Sequence, residues 1–91
     1  QAKGFDVAFL GANGVTERGC STPDPAEGEV KRAMVAAART VVVLADSSKI
    51  GTDYLVNFAP LADVRALITD TGMPEPAPHW IHESGIEVVC A

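Results

Sequence analysis

The feature that most constrains this chain is an unbroken apolar run at positions 41–45, which ends abruptly in Asp46, Ser47, Ser48 and Lys49. A continuous aliphatic run of this length is typical of a β-strand that is covered on both faces. In open parallel sheets, ligands bind beyond the carboxyl ends of the strands. One interpretation is therefore an anion site, in which a serine caps a helical turn beside the Lys49 amine. The alternative is a simple turn with a solvated lysine, because Asp and Ser are common turn residues.

The composition is that of one small, aliphatic α/β domain. Hydrophobic residues make up 47% of the 91 residues but aromatic residues only 5%, so a stacking surface for bases or sugars is disfavoured. Twelve acidic residues outnumber seven basic ones, and the net charge of −5 disfavours direct contact with nucleic acid or an anionic membrane. No apolar run approaches the ~20 residues of a membrane span. The missing initiator methionine favours a fragment.

The cysteines lack the spacing of a metal or redox site, and the histidines lack a third ligand. Cys20 and Cys90 each lack a second cysteine nearby, so we predict that both are reduced and that the compartment is the cytoplasm. His79 and His82 have an i, i+3 spacing, but the sequence offers no suitable third ligand nearby. We therefore predict no metal and no cofactor.

The order of the predicted elements is that of a parallel α/β sheet. Strands are predicted at 5–10, from 41 onwards, at 66–69 and at 86–90, and helices at 25–40 and 79–84. Between them we predict a polar connection at 15–22, a short helical turn after residue 50, a loop at 57–60 and a brief helical turn at 61–64. Because parallel strands need crossover connections, which are right-handed, this order predicts a sheet of about four parallel strands.

The first helix has the clearest start signal in the chain. Asp24 is the predicted N-cap, Pro25 the first helical residue and Glu27 the acid of a capping box. The stripe predicted to face the sheet has helical spacing and consists of Ala26, Val30, Ala33, Met34, Ala37 and Ala38. Glu27 and Lys31 are spaced for an ion pair, although they also fit a cap and a solvated helix edge with no further role.

Three predicted strands end in small polar residues, at 11–14, 46–49 and 70–72. If the strands are parallel, these ends share one edge of the sheet, where they would form a ligand cleft. Gly11 and Gly14 would leave room for a ligand there, although two glycines and an asparagine also suit a tight turn. The sequence has no GxGxxG motif, so a dinucleotide site is not predicted.

Short motifs along most of the chain resemble those of a known family. They occupy residues 9–15, 21–25, 27, 29–34, 44–51, 58–61 and 68–70. In this order and spacing they resemble the effector-sensing domain of the DeoR family of bacterial transcription regulators, over nearly the whole chain. The resemblance implies a three-layer α/β fold, similar to that of ribose-5-phosphate isomerase, of which residues 1–91 would be the C-terminal portion. It also implies that a phosphate-binding loop and a winged helix–turn–helix lie upstream of this chain.

The resemblance further implies a non-catalytic pocket for a phosphorylated sugar or related metabolite that alters operator binding. The implied pocket residues are Gly11, Ala12, Asn13, Glu27, Lys31, Asp46 and Lys49, with Ser47 and Ser48 in the same block. The two lysines would contact anionic or hydroxyl groups, and the carboxylates would accept from sugar hydroxyls or orient the lysines. The family also implies a cytoplasmic homo-oligomer that contacts DNA only through the N-terminal domain.

Two other functions stay open at this point. One is a sugar-phosphate isomerase, in which Glu27 would move a proton between adjacent carbons. The other is an oligomerisation module, in which the strand-end motifs only shape turns.

Overall fold

The fold is built around a four-stranded parallel sheet, and the computed structural model describes residues 5–91. Along the chain, the elements are β1 (Phe5–Gly11), β2 (Gly14–Thr16), β3 (Gly19–Thr22), α1 (Pro25–Ala37), β4 (Ala38–Leu44), β5 (Val56–Ala59), β6 (Ala66–Thr69), α2 (His79–Ser84) and β7 (Glu87–Cys90). Short 3₁₀ turns lie at Ser47–Lys49 and Leu61–Asp63.

The register of the parallel sheet brings the predicted strand ends together. Its spatial order is β1-β4-β6-β7, and every neighbouring pair is parallel. Gly11 at the end of β1 pairs with Leu44 at the end of β4, and Leu44 pairs with Ile68 of β6. The ends of these three strands therefore share one edge, which we call the C-terminal rim. The predicted α/β fold with a parallel sheet is confirmed.

The polar connection predicted at 15–22 and the loop predicted at 57–60 are wrong, because these segments form most of a second, smaller sheet of three strands. Strands β2 and β3 are an antiparallel hairpin, and β3 also pairs with β5. Val15, Cys20, Ser21 and Thr22 are fully buried. The Ser21 hydroxyl accepts a hydrogen bond from the Tyr54 N–H at 2.9 Å. Such partners let polar residues be buried, which a hydropathy pattern does not reveal.

Helix α1 begins as predicted but presents a different face. Asp24 caps it, with its Oδ1 accepting from the Ala26 N–H at 3.0 Å. The helix ends at Ala37 and β4 starts at Ala38, three residues before the predicted strand. The predicted stripe is wrong in its first half, since Ala26, Val30 and Ala33 are exposed, Val30 by 61%. The buried residue is Gly28, because the helix packs mainly on β5 of the smaller sheet.

Two local predictions at the helix and turn starts also need correction. The Asp24 N–H donates to the Thr22 hydroxyl at 3.3 Å, and Glu27 accepts from that same hydroxyl, so the bond that Glu27 makes is not the reciprocal bond of a capping box. The short turn lies at Ser47–Lys49 and is capped by Asp46, one residue before the predicted serine caps. The remaining structure, with turns near 61–63, strand β6, helix α2 and its Gly85 stop, follows the prediction.

One face of the parallel sheet is apolar and open among the described residues. The strand order advances in one direction, so right-handed crossovers place both helices on the same face. That face carries the core, which includes Leu10, Val43 and Leu67. On the opposite face, Phe9 is 63% exposed, and Val7, Leu44 and Val89 are exposed as well. This arrangement contrasts with most parallel sheets, whose faces are both covered.

Both cysteines are free thiols in different surroundings. Cys90 lies exposed on β7, whereas Cys20 is fully buried in β3. Burial raises the pKa of the Cys20 thiol to about 12. The thiol is therefore protonated near neutral pH and acts as a small apolar core residue.

Replacing Gly28 with alanine is expected to destabilise the fold, although alanine favours a helix by about 1 kcal/mol. An added Cβ would lie 2.4 Å from Cγ1 of Val56 and 3.4 Å from Cγ2 of Thr22. Because valine is stiff at χ1, relieving this contact requires the helix to move, at a cost of about 1–3 kcal/mol. We expect denaturant unfolding to give a net loss of about 1 kcal/mol.

The control for Gly28→Ala is Glu29→Ala at the exposed neighbouring position. This control is expected to change the free energy of unfolding by less than about 0.5 kcal/mol. A Gly28→Ala protein more stable than the wild type would contradict the close approach of α1 to β5.

Candidate functional site

A shallow pocket lies at the C-terminal rim, beside the ends of β1 and β4. Its volume is about 340 Å³, and we call it the rim pocket. It is lined by Gly11, Ala12, Asn13, Glu27, Lys31, Leu44, Ala45, Asp46 and Lys49. All of the residues predicted for the site therefore meet here except Ser47 and Ser48. Leu44 and Ala45, which end the aliphatic run itself, are additional lining residues.

The segment that follows β1 forms one wall of the rim pocket and joins the two sheets. The Ala12 N–H donates to the Leu44 carbonyl at 3.2 Å, and the Asn13 N–H donates to the Ser21 carbonyl at 3.1 Å. At Gly14 an added Cβ would lie 2.2 Å from the carbonyl oxygen of Thr52. Gly14 thus makes room for a neighbouring backbone, whereas an added Cβ at Gly11 would meet the Leu44 carbonyl oxygen at 4.0 Å, an ordinary contact.

Lys31 is held by three groups of the protein. Its Nζ donates to the Gly11 carbonyl at 2.7 Å and to Glu27 Oε1 at 3.2 Å. It also lies 5.3 Å from the centre of the Phe58 ring, which is within cation–π range. Only 17% of the side chain is exposed. Lys31 therefore ties α1 to the end of β1, and its charge is already compensated.

The charge of Lys49, unlike that of Lys31, is not compensated by any group among the described residues. Lys49 ends the short 3₁₀ turn at Ser47–Lys49 and lines the rim pocket while half-buried. Within residues 5–91, its ammonium has no hydrogen bond or ion pair. A pocket lysine whose ammonium lacks a counter-charge is a ready partner for an anion.

Asp46 shapes the turn that presents Lys49. Its carboxylate accepts from the Ser48 N–H at 3.0 Å and from the Ser48 hydroxyl. These bonds satisfy the open start of the turn. Ser48 is thus occupied with the cap, which is a structural reason why it does not line the rim pocket.

Asp70 holds the next strand end against the same turn, and sequence reasoning did not assign it to the site. Its Oδ2 accepts from the Ser47 N–H at 2.9 Å, and its Oδ1 from the Gly72 N–H at 2.7 Å. The Ser47 N–H, the Ser47 side chain and the Gly72 N–H hold the pKa of Asp70 below its ordinary value of 3.8. The signal available in the sequence was the repeated polar strand end at 70–72.

Acid is expected to remove the stabilisation that Asp70 provides. Its pKa is lower in the folded state than in the unfolded state, so the contribution is fully present above the unfolded value. It is lost as the pH falls below about 3.8 and through the lower folded pKa. We expect Asp70→Asn to be less stable than the wild type at neutral pH. The difference should shrink as the pH falls below about 3.8.

Urea unfolding of both proteins between neutral pH and pH 3 measures this difference. Glu75→Gln, which changes an exposed carboxylate elsewhere in the chain, is the matched control. A difference between wild type and Asp70→Asn that stays constant with pH would contradict the role given to the Ser47 and Gly72 bonds.

A larger groove of about 680 Å³ lies between α1 and the first half of β4. Its cationic side chains already have partners. Arg32 donates to the Asn57 carbonyl at 2.7 and 3.1 Å, and Arg39 lies 3.6 Å from Asp6. The groove also lies at the opposite end of β4 from the C-terminal rim. The rim pocket is therefore the better candidate site despite its smaller volume.

Comparison with known proteins identifies the family. Residues 2–71 match the family model described as the DeoR C terminal sensor domain. The chain belongs to this family. The matched range contains β1 to β6 and all the residues that line the rim pocket.

Related proteins are transcription regulators. The chain is 38% identical to the HTH-type transcriptional regulator GlpR of Haloferax volcanii over 86 residues, which cover 93% of this chain and 34% of that protein. It is 45% identical to the regulator FruR of Bacillus subtilis over 67 residues, covering 72% of this chain and 27% of that protein. It is 32% identical to the repressor GlcR of the same species over 84 residues, covering 92% and 33%. The DeoR-type chain thus spans about a third of the length of these relatives.

Two further observations concern the residues that the structure describes. None of their helices is long and apolar enough to cross a membrane. Among the same residues, no group of three or more His, Cys, Asp or Glu side chains could hold a metal ion.

Proposed function

We propose that this DeoR-type sensor domain binds a phosphorylated sugar or related metabolite in the rim pocket. The chain would be the C-terminal portion of the domain in a cytoplasmic, oligomeric repressor of sugar metabolism, and binding would alter DNA contact by a helix–turn–helix outside residues 1–91. The relatives support this regulatory role because they are named as HTH-type transcriptional regulators or repressors. The observation that carries the proposal is that Lys49, whose ammonium is uncompensated among the described residues, lines the same pocket as Glu27.

The proposed ligand is a molecule with an anion at one end and hydroxyls along its length. Lys49 would bind the anionic group, since charge-assisted hydrogen bonds to phosphate oxygens are strong. The Glu27 carboxylate repels a phosphate and would instead accept from a hydroxyl of the carbon chain. The Asn13 side-chain amide can both donate to and accept from a hydroxyl. Under this division, the phosphate would lie at the Lys49 side of the rim pocket.

A binding role is favoured over isomerase chemistry by the relatives and by the state of Glu27. The relatives are regulators, and the Glu27 carboxylate already accepts from the Thr22 hydroxyl and from Lys31 through Oε1. An ion-paired carboxylate with these bonds is suited to fixing a hydroxyl. A general base would have to give up the charge that compensates Lys31 when it accepts a proton.

Thermal unfolding with a panel of ligands tests the proposal. Sugar phosphates, the corresponding free sugars and inorganic phosphate would each be added to the purified protein. A ligand at one hundred times its dissociation constant stabilises the folded state by about 2.7 kcal/mol, which is visible as a higher Tm. We expect stabilisation by at least one sugar phosphate and none by its free sugar. A panel without any stabilising sugar phosphate would count against the proposed function.

A further inference from the structure

We propose that Thr22 is a positioning residue of the rim pocket, although it does not line it. This inference deepens the proposed function and rests on it for its meaning in binding. Thr22 ends β3 of the smaller sheet and is fully buried. Its hydroxyl orients the Glu27 carboxylate, and that carboxylate holds the Lys31 ammonium against the end of β1.

The direction of the Thr22 hydrogen bond follows from its neighbours. The hydroxyl oxygen accepts from the Asp24 N–H at 3.3 Å. It lies 3.2 Å from Glu27 Oε1, which can only accept when the carboxylate is ionised. The one hydroxyl proton therefore points at Glu27. Both hydrogen-bonding functions of a buried hydroxyl are satisfied, so its burial carries little penalty.

The Glu27 carboxylate passes this order on to Lys31. Its Oε1 accepts from both Thr22 and Lys31, while its Oε2 has no partner among residues 5–91. The terminal torsion of a glutamate is broad, so without the Thr22 hydroxyl only the bond to Lys31 restrains the carboxylate. With it, Oε1 is held by two hydrogen bonds, and Glu27, which lines the rim pocket, keeps Oε2 available to a ligand hydroxyl.

Lys31 then connects the smaller sheet to the pocket wall. Its ammonium sits between Glu27 Oε1 and the Gly11 carbonyl, over the ring of Phe58. Phe58 belongs to β5 and Gly11 ends β1, so the two sheets meet at this ammonium. Loosening Glu27 would release Lys31 from a position in which it is now 17% exposed.

Amine labelling of the ligand-free protein tests this chain of contacts. Thr22→Val keeps the shape but removes the hydroxyl, and Thr22→Ser restores it. Trace acetic anhydride followed by mass spectrometry reports the rate at which each lysine amine reacts. We expect Lys31 to react more slowly than Lys49 in the wild type, and Thr22→Val to speed the reaction of Lys31 alone by about two- to tenfold. Thr22→Ser should return it towards the wild-type rate.

A folded Thr22→Val protein with an unchanged Lys31 rate would overturn the proposal, because a hydroxyl that only supports the start of α1 would not act on that amine. If Thr22→Val does not fold, Glu27→Gln tests the second contact, between Glu27 and Lys31, since it removes the charge that holds Lys31. Unchanged labelling of Lys31 in Glu27→Gln would equally overturn it.

Binding separates this inference from the proposed function. Glucose 6-phosphate and inorganic phosphate serve as probes in titrations of the wild type and Thr22→Val. We expect Thr22→Val to weaken glucose 6-phosphate binding by about two- to tenfold and to leave phosphate binding nearly unchanged. Equal effects on both probes would overturn the positioning role. A wild type that binds neither these probes nor any other sugar phosphate of the panel would count against the proposed function, whereas the labelling of Lys31 decides the positioning contacts independently.

Discussion

Replacing Lys49 with glutamine is expected to weaken the binding of a stabilising sugar phosphate by about 10- to 100-fold, the equivalent of one charge-assisted hydrogen bond. The free energy of unfolding should change by less than about 0.5 kcal/mol. The reason for this separation is that Lys49 lines the rim pocket and its ammonium has no partner among residues 5–91. Removing it therefore breaks no bond within the described structure. Calorimetric titration and urea unfolding measure the two quantities.

Lys31→Gln is the matched control for Lys49→Gln, because the two lysines line the same pocket but differ in their partners. Lys31 donates to the Gly11 carbonyl and to Glu27, so its replacement is expected to lower the free energy of unfolding by about 1–2 kcal/mol. A Lys49→Gln protein with wild-type affinity would contradict the assignment of the anion to Lys49. So would a loss of stability as large as that of Lys31→Gln.

Replacing Gly19 with alanine is expected to lower the free energy of unfolding by about 3 kcal/mol or more. Gly19 has φ of +123°, in a region that side chains rarely adopt. An added Cβ would also lie 2.1 Å from the Ala59 carbonyl oxygen, in the backbone of the neighbouring β5. Strain of about 1–3 kcal/mol and the displacement of a paired strand act together. Since small domains are stable by only about 5–15 kcal/mol, the loss is large.

Gly51→Ala separates the two contributions. Gly51 also has a positive φ, of +95°, but an added Cβ there would meet nothing within 4 Å. Its replacement should therefore cost only the backbone term, about 1–2 kcal/mol. Chemical denaturation of both variants measures the difference. Equal destabilisation by the two substitutions would show that the approach of β5 to Gly19 has no energetic weight.

The parallel sheet follows from local properties of the sequence. The aliphatic run at 41–45 and the shorter run at 66–69 are apolar enough to be strands in almost any context. Asp24 and Pro25 start a helix through bonds within one turn, so their prediction needed no tertiary information. Strands that alternate with helices then have few topologies open to them. This is why the common rim of the strand ends was predictable.

The smaller sheet depended on tertiary contacts. Strands β2 and β3 are short and carry glycine, serine and threonine, so no periodic pattern marks them. Their polar side chains are buried because partners far along the chain satisfy them, as the Tyr54 N–H does for Ser21. The face that α1 buries differs from the predicted face for the same reason. Once a second sheet lies beside the helix, the close contact falls on Gly28 instead of the alanine-rich stripe.

The chain's own residue order thus determined the parallel sheet, the helix start and the gathering of polar strand ends at one rim, because each arises from short-range pattern and connection rules. Only the tertiary structure decided that Lys31 and Lys49, which were predicted to have the same role, differ in whether their charge is compensated. Lys31 is held by the Gly11 carbonyl, Glu27 and the Phe58 ring, whereas Lys49 lines the pocket with its charge uncompensated among residues 5–91. The physical reason is that a charge is compensated by whatever the fold brings within a few ångströms of it, and the Gly11 carbonyl and the Phe58 ring lie far from Lys31 in the sequence.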